Sequence, residues 1–231
     1  LYLRVAGVNV GAGPWDDWEG EVGVPSGPPN NVLGLQLQQP FTGTFAKIQW
    51  ESVANASSYK VGVYKDNGAT LLRQVSVSGL TYTYSAENAT EDGANTRYLQ
   101  FQVLATNALG DSDTAAVLNV SNPVPAVVTG IHSEVKTEDA NQAVFTVGWN
   151  ANPDVDIVGY RVWGSETQGF TPNATNLEYE GTGVSAEITV QKTVDSGGGV
   201  MVTPPLYFRV AAFDIWDDSV NYSAEQTIPS T

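Results

Sequence analysis

The sequence predicts an all-β chain built as tandem antiparallel sandwiches. Two observations carry that prediction. Apolar and polar residues alternate with a period of two almost throughout, and no window sustains helical spacing. One strand motif also occurs three times. Tyr2-Leu3-Arg4-Val5-Ala6-Gly7-Val8-Asn9 returns as Gln100-Phe101-Gln102-Val103-Leu104-Ala105-Thr106-Asn107, and again as Tyr207-Phe208-Arg209-Val210-Ala211-Ala212-Phe213-Asp214. Val5 and Val103 lie 98 residues apart, and Val103 and Val210 lie 107 apart. A period of that length is a whole domain rather than a solenoid unit. The motif closes a domain in its later copies and opens the chain in its first. The expected organisation is therefore residues 1–24 as the last two strands of a truncated domain, then complete domains at 25–122 and 123–231.

The elements follow in order. Ile48-Gln49-Trp50 and Tyr59 to Tyr64 read as strands joined by the turn Asn55-Ala56-Ser57-Ser58. Val75-Ser76-Val77, Thr81 to Tyr84, the motif strand at 99–107 and Ala115 to Val120 complete the first set. Asp66-Asn67-Gly68 and Glu91-Asp92-Gly93 are turn signals between them. The second set repeats the plan with Phe145 to Trp149, Gly159 to Trp163, Ala186 to Val190 and the last motif strand. Asn152 to Asp156 is its first turn, and Ser196-Gly197-Gly198-Gly199 is a flexible loop. Pro204-Pro205 imposes an extended approach to the last motif strand. Short strands at this spacing indicate sandwiches. Pro25-Ser26-Gly27-Pro28-Pro29 and Asn122-Pro123-Val124-Pro125 mark the junctions, and proline stiffens both.

Composition narrows the function. The chain has 231 residues, no cysteine and a formal charge of −15. Thiol chemistry, disulfides and cysteine metal sites are excluded. No apolar run is long enough to span a bilayer as a helix, and the N-terminus lacks the pattern of a signal peptide. Residues 1–24 carry −3, 25–122 carry −2 and 123–231 carry −10. A nucleic acid would be repelled by the last of these. Solubility is the plain reading of the charge, and affinity for cations or a basic partner is the sharper one.

The residues resemble fibronectin type III domains, which place Trp on the second strand, Tyr-x-Val on the next, and close on an alternating strand. Here Trp50 goes with Tyr59-Lys60-Val61, and Trp149 with Tyr160-Arg161-Val162. Phe101 to Gly110 matches the closing strand and its turn, and residues 1–24, with Asn9 and Gly13-Pro14-Trp15, look like the end of a preceding copy. The resemblance implies immunoglobulin-like antiparallel sandwiches in tandem. It departs at the tyrosine corner, where Leu1, Leu99 and Leu206 stand in the tyrosine's place, and in lacking the Leu-x-Pro element before that strand. Trp50, Tyr59, Val103, Trp149, Tyr160 and Val210 are the expected core residues, and truncating either Trp to Ala would cost about 3–5 kcal/mol.

A narrower resemblance concerns the last domain. The stretch Trp149 to Tyr160 resembles a form common in bacterial and phage sandwich modules, and Phe208 to Ser223 is similar to the ends of such modules in tail-tip host-specificity proteins of long-tailed bacteriophages. It implies a virion structural protein that spaces and presents a host-receptor-binding end. Its partners would be other copies of itself, as in a trimer, other tail proteins, and a host receptor or glycan.

Candidates for chemistry are few. His132, the single histidine, has no second His or any Cys to share a metal site or a nucleophilic triad. Asp154 and Asp156 share one turn, where capping is the expected role and calcium binding the alternative. Asp214, Trp216, Asp217 and Asp218 form an acidic, aromatic loop after the motif strand, and Trp15, Asp16, Asp17 and Trp18 match it after the first copy. A surface loop of this type could bind sugars, with ring faces for stacking and oxygens for hydroxyls. The plainer expectation is that each Trp covers a sheet end or packs on a neighbour. Paired carboxylates for glycoside hydrolysis lack a cleft to hold them, so no catalytic residue, cofactor or metal site is assigned. Asn55, Asn88, Asn119, Asn173 and Asn221 begin glycosylation triplets, which count only in a secreted eukaryotic protein.

The expectation is a non-enzymatic module of a phage tail tip or fibre, placed in the virion or otherwise outside a cell. Two alternatives stay open at this point. One is a spacer or carbohydrate-binding module of a secreted bacterial enzyme or adhesin, and the other is a segment of a eukaryotic cell-surface receptor.

Overall fold

The structure is a computed structural model, and it describes residues 2–5, 19–23, 27–194, 197 and 199–228. Chain contacts divide it into two compact units. The first comprises Leu1–Pro40, Ala46–Tyr84 and Tyr98–Val120. The second comprises Phe41–Phe45, Ser85–Arg97 and Ser121–Thr231. At the start of the chain, β1 (Tyr2–Val5) pairs antiparallel with β2 (Glu19–Gly23). The loop residues Trp15, Asp16, Asp17 and Trp18, and the corner position Leu1, lie outside the described residues.

Eight strands follow: β3 (Gln36–Leu37), β4 (Phe45–Gln49), β5 (Ser58–Lys65), β6 (Thr70–Val77), β7 (Thr81–Ser85), β8 (Tyr98–Asn107), β9 (Gly110–Asp111) and β10 (Ala116–Ser121). They form one sheet in the order β3-β4-β7 and another in the order β10-β8-β5-β6, with β9 on β8. Alternation explains the burial. In β8, Leu99, Phe101, Val103 and Ala105 are buried and the residues between them are not. Val61 lies opposite Val103, and Tyr84 of the other sheet meets Phe101 with ring centroids 6.5 Å apart.

The second unit continues with β11 (His132–Glu138), β12 (Gln142–Gly148), β13 (Ile157–Ser165), β14 (Leu177–Gly181), β15 (Ser185–Gln191), β16 (Thr193–Val194), β17 (Met201–Val202), β18 (Leu206–Asp214) and β19 (Gln226–Ile228). Its sheets run β11-β12-β15 and β14-β13-β18-β19, with β16 and β17 as a separate hairpin. Phe145 and Ile188 from one sheet join Val162, Phe208, Val210 and Ile228 from the other in a single core. Both units therefore share one strand order and are antiparallel, immunoglobulin-like sandwiches of the fibronectin type III kind.

The six expected core residues are all buried: Trp50, Tyr59, Val103, Trp149, Tyr160 and Val210. Trp50 meets Tyr59 with ring centroids at 5.4 Å, and Trp149 meets Tyr160 at 5.5 Å. Each tyrosine hydroxyl accepts from a backbone N–H in the preceding turn, Val53 at 2.9 Å and Asn152 at 2.8 Å. The indole N–H groups of Trp50 and Trp149 are buried without a hydrogen-bond partner among the described residues, so ring burial is what holds them. Leu99 and Leu206 fill the corner positions as buried apolar groups.

Two glycines are needed where the chain enters each sandwich. Gly34 and Gly130 both have φ +67°, and an added Cβ would meet Glu51 at 2.8 Å and Asn150 at 2.3 Å. They allow Leu33 O to accept from Glu51 N and Thr129 O to accept from Asn150 N.

The reading by alternation misses one helix. Ala86–Glu91 forms α1, started by a capping box in which Ser85 and Asn88 exchange side-chain and backbone bonds. Six residues are too few for a helical period to register against the strands around them.

Candidate functional site

The loop after β18 is shaped by its own aspartates. Asp214 Oδ1 accepts from Trp216 N at 2.9 Å, and Asp217 Oδ1 accepts from Ser219 N at 2.8 Å. Each is an Asx turn, the local bond that makes Asp a turn residue. Together they turn Trp216 inward. Its ring is 1% exposed and stands edge-on to Phe41 at 4.7 Å, and its Nε1 donates to Gly43 O at 3.0 Å. A ring so covered offers no face for a sugar to stack on.

The carboxylates converge on Arg97, whose side chain is 1% exposed. Arg97 Nε and Nη2 donate to Asp217 at 2.7–3.0 Å. Nη1 and Nη2 reach Asp214 at 3.2 and 3.3 Å. Nη1 also donates to Pro123 O at 2.7 Å. Asn122 Nδ2 donates to Asp156 Oδ2 at 2.9 Å and to Gly43 O at 3.3 Å. The network ties Phe41–Phe45, Ser85–Arg97, the 122–123 segment and the 214–219 loop into the second unit. A buried guanidinium requires this degree of pairing, because an unpaired buried charge is strongly destabilising.

The two aspartates respond differently to this setting. Burial raises Asp214 above the usual carboxylate range; the Trp216 N–H and Arg97 oppose the shift, and the neighbouring Asp156 adds to it. Burial also pushes Asp217 upward, but its bonds to Arg97 and Ser219 outweigh that and leave it lowered. Arg97 is raised; burial lowers it, and the two carboxylates more than offset that.

Asp218 is the loop carboxylate left in solvent, with its side chain 80% exposed. It accepts from Arg161 Nη2 at 3.3 Å; Arg161 also donates to Glu180 at 2.7 Å and lies over the Phe213 ring at 4.3 Å. The four loop residues therefore do not share one exposed face. Asp214 and Trp216 are inside, Asp217 is mostly covered, and Asp218 faces out.

The remaining candidates have local partners. Asp154 Oδ2 accepts from Ala126 N at 2.8 Å, while Asp156 is buried against Asn122. No group of three or more metal-ligating side chains occurs among the described residues. His132 begins β11, and its Nδ1 lies 3.0 Å from Gly130 O. Asn88, Asn119, Asn173 and Asn221 each bond within the protein, and Asn55 sits exposed in a turn with φ +66°.

Sequence reasoning did not single out Arg97 or Phe41. Arg97 lies 117 and 120 residues from its two carboxylate partners. The available signal was local: one basic residue at a strand start with no acid within four positions.

No family model matches the chain, and no curated protein matches it. Among solved structures, it is similar to chicken CNTN1 FN1–FN3 domains, at 15% identity over 98% of this chain and 76% of that one, with a TM-score of 0.36. It is also similar to a two-domain fibronectin type III segment of chicken tenascin, at 16% identity over 85% of this chain and 97% of that one, with a TM-score of 0.38. At these scores the sheet order, not the likeness, establishes the fold.

Proposed function

We propose that the chain is a non-enzymatic structural and interaction module of a bacteriophage tail tip or fibre. In this reading it spaces and presents a receptor-binding end and works alongside copies of itself and other tail proteins. The observation that carries it is the likeness of Phe208–Ser223 to the ends of tail-tip sandwich modules, beside the likeness of Trp149–Tyr160 to bacterial and phage sandwich modules. The fate of the loop supports the non-enzymatic part, since Asp214, Asp217 and Trp216 are used in packing rather than aimed at a cleft. No helix among the described residues is long and apolar enough to cross a membrane.

Immunogold labelling with antibodies against the purified chain tests the location. Label at one end of phage tails is the expected result. Label confined to cell surfaces or to a secreted enzyme would overturn the reading.

A further inference from the structure

The outward face of the β10-β8-β5-β6 sheet is built differently from the matching face of the second unit. On β5, Lys60, Gly62 and Tyr64 point outward, since Val61 and Val63 between them are buried in the core. Gly62 lies between Gln102 of β8 and Gln74 of β6, and Tyr64 lies between Gln100 and Leu71. The Tyr64 ring leans across Gly62, where an added Cβ would meet its Cε2 at 2.6 Å and its Oη at 3.2 Å. Beside the ring, Gln102 Nε2 donates to Gln100 Oε1 at 2.8 Å, and Gln100 Nε2 donates to Asn119 Oδ1 at 2.9 Å. These bonds hold three amides in a row, and each amide keeps donor hydrogens or lone pairs for a ligand. Lys60 and Asp111 on this face are paired with each other at 2.6 Å. In the second unit the same places hold Arg161, Trp163 and Arg209. Trp163 is buried edge-on to Tyr222 at 5.2 Å, Arg161 is paired with Glu180 and Asp218, and Arg209 with Glu225. That face is charged and occupied by its own chain. The face around Tyr64 is neutral, with Leu71, Gln74 and Asn119 exposed.

A neutral surface with one ring and a row of amides complements an uncharged ligand rich in hydroxyls. A sugar lays its C–H face on an aromatic ring, and a primary amide offers a donor and an acceptor side by side to neighbouring hydroxyls. An anionic polysaccharide would find Lys60 already paired, on a chain of formal charge −15. We propose that this face binds a neutral hexose oligosaccharide, with Tyr64 as the stacking ring and Gln74, Gln100, Gln102 and Asn119 as the hydroxyl-binding groups. This rests on the receptor-binding part of the proposed function and names the class of ligand.

Amide chemical shifts of the full chain test it, in titrations with cellohexaose, maltohexaose and a hyaluronan hexasaccharide up to ~10 mM, a range that covers weak specific sites. The expected result is a saturable response to a neutral sugar at Gly62, Tyr64, Gln74 and Gln102, with Trp163 and Arg209 unmoved. Tyr64→Ala should weaken binding about tenfold, as loss of a stacking ring does. Gln74→Leu and Gln102→Leu, which keep the ring and the strands, should each weaken it severalfold while the amides of Val61 and Val103 keep their shifts. No response to either neutral sugar overturns the proposal, as does an equal or stronger response to the hyaluronan fragment. A response that Tyr64→Ala leaves unchanged, or one confined to the second unit, also overturns it. Label at phage tail ends with no sugar response removes this inference and leaves the location standing; a sugar response with label elsewhere does the reverse.

Discussion

The two units solve the same packing problem with the same parts, and they differ most tellingly in the loop after the closing strand. Each holds a Trp–Tyr pair, a tyrosine hydroxyl on a turn N–H and a glycine with φ +67° at its entrance. After β8, Ala108-Leu109 turns the chain at once into β9, and Ser112 bonds back to Ala105 in both directions. After β18, the connection runs through Trp216 before Ser223 bonds back to Val210 in the same two-way manner. The short turn closes its own sandwich. The longer one buries a ring and two carboxylates against Phe41 and Arg97. The sandwich plan therefore fixes where a strand must return, and the connection's length decides what else it can hold.

The largest expected effects test the shared parts. Trp50→Ala and Trp149→Ala should each destabilise by about 3–5 kcal/mol, because a buried ring leaves a cavity. Urea unfolding should give closely similar losses for the two, and a large disparity would break the equivalence of the units. Arg97→Met should cost about 3–5 kcal/mol, because Asp214 and Asp217 would remain covered without their cation. No buried arginine of this kind occurs among the described residues of the first unit. Tyr59→Phe and Tyr160→Phe should each cost about 1 kcal/mol through the hydroxyl's bond to the turn.

The acid response sharpens the comparison further. Asp217 is lowered in the folded state, so its contribution is present above the ordinary Asp range and fades as pH falls through its folded value. The stability gap between wild type and Asp217→Asn should be widest near neutrality and close in acid. Asp214 is raised, so its protonation favours folding at low pH and this contribution fades as pH rises through the raised value. Asp218→Asn, at an exposed carboxylate, should change stability by less than about 0.5 kcal/mol.

These contrasts show what the sequence could and could not reveal. Strand alternation and the threefold motif identified the sandwiches because burial on one face of a strand repeats every two residues. Trp50 and Trp149 were legible for the same reason. The Arg97 network was not, because its partners are brought together by loops whose bonds leave no periodic trace. The Asp-x-Trp-Asp pattern did announce a turn, but a turn signal does not say whether its ring faces water or the interior.

Residue-resolved hydrogen exchange on the Arg97→Met variant tests the central claim most directly, that the Arg97 and Trp216 contacts hold Ser85–Arg97 within the second unit. The amides of Asp92, Gly93 and Ala94 bond within that segment. Their protection should collapse in the variant while Val61 and Val103 in β5 and β8 keep theirs. Unchanged protection at Asp92, Gly93 and Ala94 would contradict the account.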